Sequence, residues 1–158
     1  MAAIKDPENT LLIETSKGNV VIAMRPDLAP GHVTHIKKLA REGFYDGIVF
    51  HRVIEGFMAQ TGCPKGLGTG GSKYPNLKAE FNAEPHVRGT CSMARSSMPD
   101  SANSQFFICF GDAGFLNKQY TVWGKVIDGM DNVDKIKRGE PVQNPDKMIS
   151  VKVAADVK

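Results

Sequence analysis

One arginine and two glutamines stand among aromatic and apolar residues in two stretches of this chain. The first stretch is Phe50-His51-Arg52-Val53-Ile54-Glu55-Gly56-Phe57-Met58-Ala59-Gln60, and the second, some forty residues on, is Ser104-Gln105-Phe106-Phe107-Ile108. No metal-ligand cluster or activated nucleophile accompanies them. Such a set can hold an apolar ring and hydrogen-bond the peptide around it. It is poorly equipped to break a covalent bond, which needs a nucleophile with a base in reach.

Other patterns that could carry chemistry fail on context. Gly66-Leu67-Gly68-Thr69-Gly70-Gly71 matches G-x-G-x-x-G, but a dinucleotide site needs that loop to open a helix, and Pro75 follows at once. Lys73 is one place too late for a phosphate loop, so the run predicts a tight glycine loop beside a groove. His32 and His35 share one face of a helix, yet two further metal ligands are not nominated, and both read as solvated surface residues. His51 points away from Arg52 on a strand and reads as a hydrogen-bonded core histidine rather than a general base. Ser92, Ser96, Ser97 and Ser101 have no G-x-S-x-G setting and no evident histidine partner. Cys63, in a Gly-Cys-Pro turn, reads as the thiol most exposed, and a cysteine-dependent redox protein is a distant third reading.

The elements that must position the arginine and glutamines are mostly strands. Residues 10–15 and 19–25 form a hairpin about the Ser16-Lys17-Gly18 turn. A helix follows, with Pro30 in its first turn, Val33, Ile36, Leu39 and Ala40 as its apolar stripe, and Gly43 as its stop. Short β-branched or aromatic runs then cover 48–53, 57–61, 90–94, 105–110, 121–127 and 148–154. A second helix spans about 131–138, with Val133 and Ile136 inward and Gly139 just beyond. Eight strands and two helices without strand-helix alternation predict a mainly β fold, a closed eight-stranded antiparallel barrel capped by two α-helices. The loops 62–72 and 96–103 are long enough to be functional.

Length and composition agree with one globular domain over residues 1–158: 41% of residues are hydrophobic and the net charge is +3. The Lys135-Ile136-Lys137-Arg138 cluster reads as a solvated helix end, so no nucleic-acid partner is expected. No apolar run reaches the roughly 18–20 residues that span a membrane, and residues 1–10 lack a signal peptide's apolar core. An odd count of three cysteines points to a reducing, cytoplasmic setting.

On a strand, Gln105 and Phe107 share one face and Phe106 and Ile108 the other. Phe57 and Met58 can both reach the pocket of Phe107 only if their strand begins or bulges there, as Gly56 would allow. The bland alternative makes Phe57, Met58, Phe107 and Leu116 ordinary barrel core. Arg52 and two glutamines among them count against it, since buried polar groups need partners. The chemistry that fits is one in which nothing is broken, with rotation about a prolyl peptide bond the leading case.

The run F-H-R-x-I-x-G-F-M-x-Q, followed by G-T-G-G, M-A-R, S-Q-F-F-I, F-L and V-x-G-K-V, resembles the cyclophilins in order and spacing over nearly the whole chain. Those are peptidyl-prolyl cis-trans isomerases. Met93-Ala94-Arg95 and the segment 100–105 are more similar to the bacterial branch than to the common eukaryotic cytosolic one. The resemblance implies a catalytic Arg52, a proline pocket of Phe57, Met58, Phe107 and Leu116, and substrate-backbone contacts from Gln60 and Gln105, with Ala94 and Arg95 on the groove wall. Phe115 stands where a cyclosporin-contacting tryptophan is usual and Tyr120 where a histidine is usual, which implies activity with reduced cyclosporin affinity. Trp123 corresponds to a core aromatic. No cofactor or metal is implied; the expected partners are proline-containing peptides and folding proteins, and the expected assembly is a monomer. The competing reading is a proline-peptide binding module or folding helper whose turnover is incidental.

Overall fold

A computed structural model describes residues 6–66, 70–96, 98, 100–139 and 142–157. Strands β1 (Thr10–Thr15), β2 (Gly18–Met24), β3 (Arg52–Ile54), β4 (Met58–Thr61), β5 (Thr90–Met93), β6 (Phe106–Cys109), β7 (Val122–Asp128) and β8 (Met148–Val153) form one sheet. Its order is β3-β4-β6-β5-β7-β2-β1-β8, and every pairing is antiparallel. The strand positions follow the β-branched and aromatic runs closely.

Closure is less complete than a fully laddered barrel. Strands β3 and β8 end the order and do not pair with each other as strands. Loop backbone bridges the seam instead: the N–H groups of Gly47 and Phe50 donate to Met148 O and Asp146 O at 2.7 and 2.8 Å, and Val53 and Gly139 exchange bonds of 2.8 Å. Residues 47–50 are thus held against the β8 edge, which is why only Arg52 and Val53 of the expected 48–53 strand, extended by Ile54, pair with β4.

Helix α1 (Pro30–Arg41) begins at Pro30 as its sequence predicts, and Gly43, at φ +74°, follows its end. Val33, Ile36, Leu39 and Ala40 are buried against the sheet. Helix α2 (Met130–Val133) is shorter than expected. Beyond it the N–H groups of Lys135 and Ile136 bond only three residues back, and that of Lys137 turns to the Asp146 carboxylate at 2.8 Å. Ile136 remains buried, so the apolar spacing marked packing rather than helix length.

His32 and His35 are not solvated. Both are buried, because the loop ahead of β5 folds over the start of α1. Glu80 on that loop accepts the backbone N–H groups of Gly31 and His32 at 3.1 and 2.8 Å, and the ring Nδ1–H of His32 at 2.5 Å. This carboxylate caps a helix whose own N-cap, Ala29, offers no side-chain bond. His35 packs edge-on against Tyr74. His51 is buried as expected, but neither ring nitrogen has a hydrogen-bond partner among the described residues.

Apolar side chains gather on the two faces of the sheet separately. Phe106 and Ile108 of β6, Ala59 of β4, and Cys91 and Met93 of β5 join the main core with Trp123, Tyr45 and the α1 stripe. Phe107, Cys109 and Met58 point the other way, into a smaller cluster with Ala113 and Leu116. Strand alternation alone produces this division.

Candidate active site

The smaller cluster floors a hollow of about 140 Å³. Arg52, Phe57, Met58, Gln60, Ala94, Arg95, Phe107, Leu116 and Tyr120 line it. Cross-strand register explains the polar part. Arg52 faces Gln60 across β3 and β4, Gln60 faces Phe107 across β4 and β6, and Phe107 faces Ser92 across β6 and β5. These residues therefore form one row over four strands on the face away from the main core.

A relay of amides sets the orientation of that row. Arg52 Nη1 donates to Gln60 Oε1 at 3.4 Å, Gln60 Nε2 to Gln105 Oε1 at 3.0 Å, and Gln105 Nε2 to Gly70 O at 3.0 Å. Gln105 itself lines a second, larger hollow of about 570 Å³ that shares Gln60, Ala94 and Arg95 with the first. Its outer wall is tied together through Asn103, whose Oδ1 accepts from Ser72 N and Oγ and whose Nδ2 donates to Tyr74 O. The glycine run is a groove-side loop over its described part, with no helix opened by Gly71; Leu67, Gly68 and Thr69 lie outside the described residues.

Phe57 and Met58 both reach the hollow because β4 starts only at Met58, after Gly56 turns the chain at φ +73°. Leu116 comes from the short 3₁₀ turn Gly114–Leu116. Tyr120 meets Phe107 edge-on, with ring centroids 5.9 Å apart. Phe115 does not line the hollow. It stands at the rim, 68% exposed, with its ring 5.5 Å from that of Phe57. So the four hydrophobes expected together are together, and they are not part of the main core.

Behind the pocket lies a polar group that no local sequence pattern announces as a whole. Buried His86 and Ser92 form it with half-buried Asn117: His86 ring nitrogens lie 3.1 Å from Asn117 Oδ1 and 3.0 Å from Ser92 Oγ. A polar Ser92 between buried Cys91 and Met93 was the available signal, since it shares the face of Phe107. Burial holds the His86 imidazole below its ordinary pKa, against the raising effect of Asn117.

Thiol chemistry is badly placed here. Cys63, expected to be exposed, is 1% exposed, because its turn folds inward and its Sγ accepts the N–H of Gly70 at 3.2 Å. Cys91 and Cys109 are buried too, and desolvation pushes the Cys109 thiol up to about 12 and Cys91 also well upward. No cluster of His, Cys, Asp and Glu suited to a metal occurs among the described residues. No helix there is long and apolar enough to cross a membrane.

Residues 10–155 match the family model for cyclophilin type peptidyl-prolyl cis-trans isomerase/CLD. A probable peptidyl-prolyl cis-trans isomerase of Brucella suis is 57% identical over 99% of this chain and 88% of that protein. Peptidyl-prolyl cis-trans isomerase B of Bacillus subtilis is 46% identical over 73% of this chain and 80% of its own length. A crystal structure of a cyclophilin from Hirschia baltica superposes with a TM-score of 0.90 at 30% identity, covering 97% of this chain and 76% of that one. A cyclophilin-type isomerase of Cryptosporidium parvum, crystallised in the presence of the dipeptide Ala-Pro, superposes at 0.85 with 26% identity over 91% of this chain and 98% of that one.

Proposed function

Because the chain belongs to the cyclophilin-type peptidyl-prolyl cis-trans isomerases, we propose that the Arg52 hollow is where it turns peptide bonds preceding proline. The proline ring occupies the apolar floor of Phe57, Met58, Phe107 and Leu116, and Gln60 and Gln105 hold the flanking backbone. The Ala-Pro dipeptide named for the Cryptosporidium relative supports a proline-containing ligand.

The barrier is amide resonance, about 18–20 kcal/mol, which leaves the uncatalysed turn taking tens of seconds. As the bond twists, the imide nitrogen becomes pyramidal and gains a lone pair. A guanidinium beside it donates a hydrogen bond that the planar amide accepts poorly, which is stabilisation of the transition state over the ground state. A charged hydrogen bond is worth roughly 1.5–3 kcal/mol, one to two decades of rate. The apolar floor adds to this by holding the ring still and removing water that solvates the polar planar form. Nothing in this scheme requires a covalent intermediate, a metal or a thiol.

The observation that carries the reading is the Arg52–Gln60–Phe107 row over a hydrophobic cluster separate from the core. Its test is Arg52→Ala, assayed by exchange NMR on a proline peptide. Activity should fall at least about tenfold with the melting temperature little changed. Arg52→Lys should recover only part of the loss, since an ammonium lacks the rigid fork. Full activity in Arg52→Ala removes Arg52 from the mechanism.

A further inference from the structure

Arg95 is the residue common to both hollows whose charge the isomerisation scheme does not use. Its guanidinium is held in place: Nε and Nη2 donate to Gln119 O at 3.0 and 2.6 Å, and Nη1 donates to Ser96 O at 2.9 Å. Two rings flank it, Tyr120 at 4.6 Å and Phe81 at 5.8 Å from their centroids. A cation fixed this way loses little conformational freedom when a ligand arrives.

The surroundings make that charge matter. Arg52 lines the smaller hollow as well, and no carboxylate lines either one among the described residues. The described residues of the segments 62–72 and 96–103 include one acid, Asp100, and its carboxylate accepts the N–H of Ala79 at 2.8 Å. Glu80 is committed to the start of α1, and Glu84 lies 3.8 Å from Arg25. The cleft is therefore positive along the path that leads from the proline floor to the polar hollow.

We infer that Arg95 is a specificity-determining residue that favours substrates carrying an acidic side chain next to the isomerised proline. The inference rests on the isomerase reading of the site. At roughly 6 Å in a water-like medium, attraction between unit charges is worth about threefold in an equilibrium constant. Exchanging attraction for repulsion squares this, and screening trims the Glu-to-Lys contrast to about fivefold.

The test uses blocked proline peptides in which Glu, Gln or Lys fills each flanking position in turn, with kcat/KM measured by exchange NMR. At one flanking position or more, the Glu peptide should exceed the Lys peptide at least about fivefold in about 20 mM salt, and the ratio should shrink toward unity in about 0.5 M salt. The ratio should fall below twofold in Arg95→Gln, whatever its absolute rate, and persist in Arg95→Lys. A wild-type ratio below twofold at every position, or one indifferent to salt, overturns the inference, as does a full ratio in folded Arg95→Gln. If Arg95→Gln does not fold, the wild-type salt series and Arg95→Lys decide by the same criteria. Absence of turnover on all peptides would instead sink the isomerase reading itself.

Discussion

The imidazole of His86 stacks against the Phe107 ring, with centroids 6.2 Å apart and planes inclined by 23°. His86 is wholly buried and Phe107 nearly so, which leaves the phenylalanine ring walled by protein on one side and facing the hollow on the other. Ser92 completes the wall by donating to Thr121 O at 3.0 Å. His86→Ala should empty the space behind a pocket ring and remove the imidazole's contacts with Asn117 and Ser92, at a cost of about 2–4 kcal/mol in stability. With Phe107 free to retreat, kcat/KM should drop about three- to tenfold at a temperature where the variant is folded. A lower melting temperature with unaltered kcat/KM would show that His86 supports the fold alone.

Strand-borne features of the site were readable in the sequence because a two-residue period leaves little choice. Gln105-Phe106-Phe107-Ile108 can only divide as it does, and Gly56 before Phe57-Met58 signals the start of β4. Features set by distant segments were not readable. His32 and His35 look solvated until residues 72–85 cover them, and Cys63 looks exposed until Gly70 folds onto its sulfur. The second helix stops short of its apolar pattern because Asp146, nine residues beyond Lys137, captures the N–H that would have continued it. The polar group behind Phe107 draws on β5, its preceding loop and the turn after Gly114–Leu116, three segments no local pattern connects.

Acid should destabilise this fold earlier than its carboxylates would. His32, His35, His51 and His86 all have imidazole pKa values below the ordinary 6.5, each chiefly from desolvation. Between those lowered values and 6.5 the unfolded chain binds more protons than the folded one, so stability rises with pH across that window. It is fully present above about pH 7 and declines as pH falls through the lowered values. The urea midpoint should therefore drop between pH 7 and 5, and His35→Phe, which keeps a ring against Tyr74, should shallow the slope. A midpoint level over that range contradicts the assignment.

Phe115 offers a hydrophobic rim without a donor. Its ring is tilted 42° to that of Phe57 and largely open to solvent, so a larger side chain meets little obstruction. Phe115→Trp adds an indole N–H at the mouth of the hollow, and one neutral hydrogen bond is worth roughly 0.5–1.5 kcal/mol. Cyclosporin should then bind about three- to tenfold more tightly than to the unaltered protein, measured by inhibition of isomerase activity. An unchanged inhibition constant would mean that the rim does not contact the drug.

Gly62 and Gly56 both sit at positive φ, yet substituting them should have very different results. At Gly56, φ +73°, an added Cβ meets nothing within 4 Å, so Gly56→Ala pays only the left-handed backbone cost of about 1–2 kcal/mol. At Gly62, φ +93°, the Cβ would fall 2.3 Å from Ser104 O and 2.9 Å from Gln105 Cα. Those atoms cannot yield easily, because Ser104 O accepts from Tyr45 Oη at 2.9 Å and Ser104 Oγ donates to Gly62 O at 2.7 Å. Relief must come from moving the approach to β6, which carries Gln105 away from Gln60. Gly62→Ala should accordingly lose roughly 3 kcal/mol or more and lower kcat/KM in whatever remains folded. Equal denaturation midpoints for the two variants would show that the close crossing of β4 and β6 does not constrain the site.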